Sequence, residues 1–332
     1  MRALLRAELA RVRARSVVWG TAIILVVAGL GLVIAAWDDT RPPSAAQVAE
    51  GEAAYADYLE FWLEDHDEQR AVCERNQARD TVADWDCERL DVQPTLEEFL
   101  VQGFLPYRPG LVETVDARFG PVGWLLVVGM LVMGVSLVSA DFASGAFGTW
   151  LTFAPRRGRV LLSRLGASLV AAVVVSLVAL ASTAAGIVGV LVWNDALKSG
   201  DGAAAALFAQ TAARALVAGL WATTVAVGLA FALRHAAGVT GLVVWWVAGI
   251  ETALPTIVPT SSAWTLATNL RAWLDGGTTY AVESCWVDEV GVDVCGPVEH
   301  VVTQLQGGLV LLAVALVCVG LGALVFRVRD VS

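Results

Sequence analysis

Lysine is almost absent from this sequence. Lys198 is the only lysine among 332 residues, and arginine supplies nearly all of the positive charge. Loops that cradle nucleotide phosphates are rich in glycine and end in Gly-Lys-Ser or Gly-Lys-Thr, whereas Lys198 follows Leu197. The sequence also lacks a His-Glu zinc motif and a Gly-x-Ser-x-Gly turn in a suitable context. We therefore expect no nucleotide hydrolysis, no catalytic centre and no metal site in this chain.

Charged residues are scarce as well. They make up 16% of the chain, against about 25% in soluble domains. Hydrophobic residues make up 57%, and the mean hydropathy is +0.66. Crossing a hydrocarbon core of about 30 Å takes roughly 20 apolar residues. Suitable stretches lie near 16–36, 121–140, 165–192, 214–233, 236–254 and 307–326. The composition excludes a soluble globular protein and predicts an all-α polytopic membrane protein with six transmembrane spans, the first too long for a cleaved signal peptide.

Basic residues beside the spans predict the orientation, because short cytoplasmic loops are enriched in them. They are Arg2, Arg6, Arg11, Arg13 and Arg15 before the first span, Arg156, Arg157, Arg159 and Arg164 between the second and third, Arg234 with His235 between the fourth and fifth, and Arg327 and Arg329 after the sixth. With six crossings all of these fall on one side, so both termini are expected in the cytoplasm. Acids outnumber bases in the opposite loops, 37–120 and 255–306. The net charge of −10 is thus the sum of a basic side and an acidic side of the protein, and it indicates no nucleic-acid partner.

Residues 1–15 have the pattern of an amphipathic helix at the membrane interface. Leu4, Leu5, Leu9 and Val12 recur at helical spacing among the arginines. The alternative is an extension of the first span, in which the arginines act only as orientation signals. Both interpretations can hold together.

The long outer loop 37–120 is expected to fold as a small helical cap. Ser44 with Gln47, and Thr95 with Glu98, have the spacing of capping boxes at helix starts. The many acids of the loop either attract a cationic substrate or keep an exposed domain soluble.

Four of the five cysteines lie in outer loops. Disulfides persist outside the cytosol, and pairing within each loop, Cys73–Cys87 and Cys285–Cys295, is the economical connectivity. A metal site is the alternative, but His66 and His300 do not stand at zinc-ligand spacing from these cysteines.

The outer region 255–306 precedes the last segment, 307–332, which holds span six and the cytoplasmic tail. Pro255 and Pro259 forbid a regular helix, and an apolar piece and the hairpin of the second cysteine pair follow. This order resembles a re-entrant or interfacial region. In spans three to five, 165–254, two charged residues draw attention. Glu251 either lines a transport route or is an acid at a helix end, and Arg214 either marks a functional site in the membrane or snorkels to its surface.

The cytoplasmic segment 141–164 carries the most specific signal, DFASGAFGTWLTFAPRRGRVLLSR. Asp141 ends the second span, Gly148-Thr149 follows, and Pro155 and Arg156-Arg157 lead into the third span. The segment resembles that of type-2 ABC exporter permeases, in which an acidic residue ends the second helix and a Gly-Thr turn, a Leu-Leu-x-x-Pro run and basic residues follow. Asp141 stands where that family more often has Glu. Arginine in place of lysine, with abundant Ala, Val and Gly, indicates an actinobacterial-like source.

The resemblance implies a permease subunit in a bacterial plasma membrane, working by alternating access. Residues from about 144 to 154 would form a coupling helix that docks into a separate ATPase. Two copies of that ATPase, which bind ATP and Mg, and a second permease protomer, identical or homologous, are the implied partners besides membrane lipid. The coupling residues would be Asp141, Gly145, Phe147, Gly148, Thr149, Trp150, Pro155, Arg156 and Arg157. Phe147 and Trp150 would supply a hydrophobic knob, although Trp150 and Phe153 can instead serve as interfacial anchors.

Two other classes of function compete with transport. One is an intramembrane enzyme acting on lipid-linked substrates through Glu251, His300 and Asp141. The other is a membrane sensor or scaffold whose folded outer loop binds a ligand. No residue pattern selects the transported cargo.

Overall fold

The computed structural model describes residues 2–79, 86–153, 156–197, 202–287 and 293–329. Lys198 and Asp84 lie outside these ranges. The helices are α1 (Arg2–Arg13), α2 (Ser16–Thr40), α3 (Ala45–Arg79), α4 (Leu96–Phe99), α5 (Leu111–Thr114), α6 (Val122–Ala143), α7 (Ala146–Phe153), α8 (Arg157–Trp193), α9 (Gly202–Leu233), α10 (Ala236–Trp245), α11 (Thr252–Ile257), α12 (Leu266–Asp275) and α13 (Gln304–Val328). Two strands, β1 (Gly277–Val287) and β2 (Asp293–Thr303), form an antiparallel hairpin between α12 and α13.

Six helices are long and apolar enough to cross a membrane, which confirms the predicted number. They contain α2, α6, α8, α9, α10 with α11, and α13. Three of them begin earlier than predicted: α8 at Arg157, α9 at Gly202 and α13 at Gln304. In α8 the early start is possible because ion pairs neutralise Arg164 inside the bundle. In α9 it follows from the alanines of 203–213, since alanine has the highest helix propensity.

The bundle is built around α9, which packs against α6, α8 and α13. Small residues allow close approach: a Cβ on Gly228 would lie 2.6 Å from the carbonyl carbon of Cys318, and one on Gly134 would lie 2.8 Å from the Cβ of Ala226. Small residues at helix contacts are typical of bundles in lipid, where van der Waals packing replaces the hydrophobic effect. The fifth span, α10 with α11, lies at the periphery and is almost wholly exposed in the single chain.

The bundle has two chemically different ends. The "basic end" holds α1, α7, the start of α8 and the end of α13, where Arg157 and Arg234 both donate hydrogen bonds to backbone carbonyls near the chain terminus. The "hairpin end" holds α12, the β-hairpin and the junction where Arg108 binds the carbonyl oxygens of Thr40 and Asn194. This arrangement agrees with six crossings and with termini on the same side.

The predicted cap is one 35-residue helix, α3, with a short partner. Both predicted capping boxes form: Ser44 Oγ accepts from the Gln47 amide, and Thr95 Oγ1 accepts from the Glu98 amide. Phe99 packs beside Tyr55 and Tyr58, with ring centroids 5.5 and 5.2 Å apart. Along the described α3 only Gly51 is buried, so this helical unit has little hydrophobic core of its own.

Both predicted disulfides are formed. Cys73 is bonded to Cys87, with Cα atoms 5.8 Å apart, and ties the end of α3 to the turn that follows. Cys285 is bonded to Cys295, which is its direct partner across the hairpin. The β-hairpin departs from the all-α class, because Thr, Tyr, Val and Trp recur along 277–287 and favour extended backbone. The free Cys318 is buried, as its apolar surroundings predict.

Candidate functional site

Five charged side chains meet at the basic end, where α1, the end of α6 and the start of α8 converge. Asp141 pairs with Arg11 at 2.5 Å, with Arg15, and with Arg164 at 2.9 Å. The second guanidinium nitrogen of Arg164 pairs with Glu8 at 2.5 Å. We call these five residues the ion cluster. It joins α1 to two transmembrane helices.

The ion cluster is buried. The side chains of Glu8 and Asp141 are 0% exposed and that of Arg164 is 6% exposed, whereas Arg11 and Arg15 remain 27% and 20% exposed. Charges removed from water are tolerated only when they are well paired. Burial raises the pKa of the Glu8 carboxyl above its ordinary value, and the positive charge of Arg164 offsets part of that effect. Each carboxylate therefore depends on its arginines to remain inside the protein.

Asp141 was among the predicted site residues, whereas Glu8 was not and Arg164 was assigned a different role. Asp141 was expected to end the second span and face the coupling partner, but its side chain is fully buried and faces α1 and α8. Arg164 was expected only to set the orientation. A signal for Glu8 was present, because Glu8 and Arg11 are three residues apart and share one face of α1.

The expected coupling helix corresponds to α7, which has eight residues. Gly145, with φ of +67°, makes the turn between α6 and α7, a conformation that glycine adopts without strain. Apart from the adjacent backbone of the helix, no atom of the described residues lies within 4 Å of a Cβ placed on Gly145 or on Gly148. The surface beside both glycines is therefore open to close approach by another backbone.

Phe147 was expected to be a hydrophobic knob for the partner, and this expectation is wrong. The side chain is 0% exposed and sits among Phe142, Phe231 and Phe326, with ring centroids 4.4, 5.5 and 5.7 Å away. The reason is the apolar aromatic pocket at the ends of α6, α9 and α13, which offers Phe147 more contact than solvent does. Phe147 anchors α7 to the bundle.

Trp150, the next aromatic residue along α7, is half-buried. The guanidinium of Arg164 lies 5.3 Å from the Trp150 ring and 5.4 Å from the Phe147 ring, both within cation–π range. The guanidinium of Arg164 therefore lies against the two aromatic rings of α7, while its nitrogen atoms pair with Glu8 and Asp141.

The remaining expected coupling residues differ in what they do. Arg157 donates hydrogen bonds to the carbonyl oxygens of Phe326, Arg327 and Arg329, at 3.0, 3.1 and 2.8 Å, so it fastens the end of α13. Arg156 is exposed. Pro155 and the side chain of Thr149 lie outside the described part of the chain.

Glu251 and Arg214, considered as possible route residues, hold the two ends of α12. The Glu251 carboxylate accepts hydrogen bonds from the amides of Leu266 and Ala267, at 2.7 and 2.9 Å, at the start of this helix. The guanidinium of Arg214 lies against Gly276 at its end, 2.8 Å from where a Cβ would be. A negative charge at the first turn and a positive charge at the last both favour the helix dipole. This geometry gives both residues a structural role and supports the helix-end interpretation of Glu251.

Comparisons with protein-family models, with curated proteins and with solved structures found no match to this chain. The candidate site therefore rests on its own geometry. It consists of the ion cluster, the aromatic anchor at Phe147 and the partly exposed face of α7 around Trp150.

Proposed function

We propose that this chain is the membrane-spanning permease subunit of an ABC transporter, working as an exporter and driven by a separate ATPase. The observation that carries the proposal is α7, a short helix that Gly145 turns away from α6 at the basic end. A helix in this place resembles the coupling helix of type-2 permeases. The proposal includes two ATPase copies, which bind ATP and Mg, and a second permease protomer.

Force applied to α7 has a direct path into the bundle. Phe147 is packed against α6, α9 and α13, and Arg164 links α7 to Glu8 and Asp141. A push on α7 would thus move α1, α6 and α8 together rather than bend a loop. In this proposal Asp141 transmits force and Trp150 contacts the ATPase, with Gly148 leaving room for it.

The proposal also sets the orientation. The basic end faces the cytoplasm of a bacterial plasma membrane, with both chain termini, and the hairpin end faces outward. A cysteine placed at the exposed Ser144 should react with a membrane-impermeant maleimide only after the cells are opened. Labelling of intact cells at Ser144→Cys would overturn the proposed orientation and the docking of α7.

Docking is tested by co-purification with a candidate ATPase, chosen from genes near this one by its Gly-Lys-Ser or Gly-Lys-Thr loop. Trp150→Ala should reduce the ATPase retained by at least tenfold, because aromatic anchors carry a large share of interface energy. Trp193→Ala is the matched control, since Trp193 is 84% exposed at the opposite end of α8. Phe147→Ala is unsuitable as a docking variant because that side chain is part of the core. Undiminished ATPase binding by Trp150→Ala, with normal thermal stability, would refute the docking role.

The geometry does not favour an intramembrane enzyme. Gly123, at the start of α6, packs beside Leu274 of α12, and Asp141 lies about 27 Å further along the helix. Glu251 caps α12, so the two carboxylates lie at opposite ends of the bundle. A shared catalytic centre needs such groups within hydrogen-bonding reach of one substrate.

A further inference from the structure

An apolar groove runs along the surface between α8, α9 and α13. Its main part has a volume of about 680 Å³ and is lined almost entirely by hydrocarbon, including Leu165, Leu169 and Val173 of α8, Trp221 of α9, and Leu312 and Leu316 of α13. The groove opens to the side of the bundle, where the membrane would be. Within a bilayer such a surface is filled by acyl chains.

The groove continues to the basic end. Val319 lines both the main part and a second part of about 420 Å³, which Leu162 and Ala323 also line. From Gly308 to Arg327 the lining of α13 extends about 28 Å at 1.5 Å per residue. This length is comparable with a hydrocarbon core of about 30 Å. The second part therefore lies at the depth where acyl chains meet head groups.

Three arginines surround this mouth of the groove: Arg156, Arg159 and Arg327. All three are exposed, and among the described residues no carboxylate forms an ion pair with any of them. The backbone beneath them is held in place, because Arg157 donates hydrogen bonds to the carbonyls at the end of α13. The guanidinium of Arg327 lies over Gly158, 3.7 Å from where a Cβ would be. The mouth thus carries three positive charges on a fixed frame, in contrast to the neutralised arginines of the ion cluster.

The geometry points to a binding site for an anionic phospholipid of the surrounding membrane. The phosphate of the head group is held by Arg156, Arg159 and Arg327, and one acyl chain lies in the groove between α8 and α13. Guanidinium groups bind phosphate through charge-assisted hydrogen bonds, and basic pockets between transmembrane helices bind anionic head groups. The site requires neither an ATPase nor transport, so it stands independently of the proposed function.

The head-group half is tested with the purified chain in nanodiscs of phosphatidylcholine containing increasing phosphatidylglycerol. Native mass spectrometry and a fluorescent phosphatidylglycerol measure the retained lipid. The triple variant Arg156→Gln, Arg159→Gln, Arg327→Gln should bind phosphatidylglycerol on the order of 100-fold more weakly, about fivefold for each arginine. The matched control neutralises the exposed Arg41, Arg70 and Arg271, which do not line either part of the groove. Equal retention of both lipids by the unaltered chain, or unchanged affinity of the triple variant, overturns the proposal.

The acyl half needs a second pair of variants. Leu162→Trp fills the groove from an exposed position on α8, whereas Val192→Trp alters the same helix outside it. The first should weaken lipid binding at least tenfold and the second should not. Soluble glycerol phosphate should displace the lipid only at concentrations at least 100-fold higher, since it lacks the acyl chain. Displacement at equal concentration, or unchanged binding by Leu162→Trp, shows that no acyl chain occupies the groove.

Discussion

Replacing Asp141 by asparagine tests whether the ion cluster holds α1 to the bundle. Asp141 accepts from Arg11 and Arg15 and pairs with Arg164. Without its charge, three arginines face the single carboxylate of Glu8. Arg164, at 6% exposure, cannot turn to water, whereas Arg11 and Arg15 can. We expect α1 to detach while the transmembrane helices stay folded.

The magnitude follows from burial. Removing one partner of a buried ion pair costs about 3–5 kcal/mol, because the other charge is left without compensation. Asp38→Asn is the matched control, since Asp38 is 70% exposed and pairs with Arg41 at 3.3 Å. Exposed pairs of this kind contribute about 0–1 kcal/mol. The two Asp-to-Asn changes should therefore differ by several kcal/mol.

Unfolding of the purified chain in mixed micelles, followed by helical circular dichroism, measures the free energy difference. Hydrogen exchange of the amides of 7–13 measures the release of α1 directly. The double variant Asp141→Asn, Arg164→Gln should be less damaged than the sum of the single variants, with a coupling energy of about 1–3 kcal/mol. Asp141→Glu should also destabilise, by about 1–3 kcal/mol, because the side chain is fully buried and an added methylene must displace its partners. Equal stability of Asp141→Asn and Asp38→Asn, with α1 amides still protected, would refute this reasoning.

Two further predictions concern helix packing and pH. Gly322→Ala should destabilise the α9–α13 contact by about 1–3 kcal/mol, because its Cβ would overlap the carbonyl oxygen of Gly228. Gly320→Ala is the control, since no atom of the described residues lies within 4 Å of a Cβ there. In thermal unfolding in detergent this control should be neutral or slightly stabilising. Hydrogen bonds from the backbone and side chain of Thr95 lower the pKa of Glu98 below its usual value of 4.5. The capping box therefore stabilises α4 fully above pH 4.5, and this stabilisation is lost as the pH falls through the lowered pKa of Glu98. Carboxyl-carbon NMR of Glu98 should follow that titration, and Glu98→Gln should make α4 insensitive to acid; a pKa at or above 4.5 would contradict the prediction.

Local patterns predicted most of the fold because their physics is local. Six apolar stretches give six membrane-length helices, since the length of a span depends on composition and on bilayer thickness. The capping boxes at Ser44 and Thr95 form because both partners lie within one helical turn. The Cys73–Cys87 disulfide forms between neighbouring segments of one loop. None of these features requires knowledge of how the helices are arranged.

The missing parts depend on contacts between distant segments. Asp141 and Arg164 were predicted as the limits of a cytoplasmic loop. Arg15 and Arg11, which are 126 and 130 positions from Asp141 in the sequence, donate hydrogen bonds to its buried carboxylate. Phe147 was predicted to be exposed, but in the structure it packs against Phe231 and Phe326. An amphipathic pattern states that a face is apolar, not whether the chain itself or a partner covers it.

The burial of Phe147 limits what a partner can contact on α7. Phe147 and Trp150 are three residues apart and share one face of α7, where Arg164 contacts both rings. Phe147 is fully buried, so a partner on this face can reach only the half-buried Trp150. Contact with Trp150 would perturb Arg164, which lies 5.3 Å from its ring and pairs with both buried carboxylates. Because buried charges tolerate little displacement from their partners, a shift of α7 must either carry α1, α6 and α8 with it or break the ion cluster. If an ATPase docks at Trp150 as proposed, docking and the position of α1 are coupled through Arg164. Arg164→Gln should then release the α1 amides to hydrogen exchange while the amount of co-purified ATPase stays unchanged, and α1 amides that remain protected would refute this coupling.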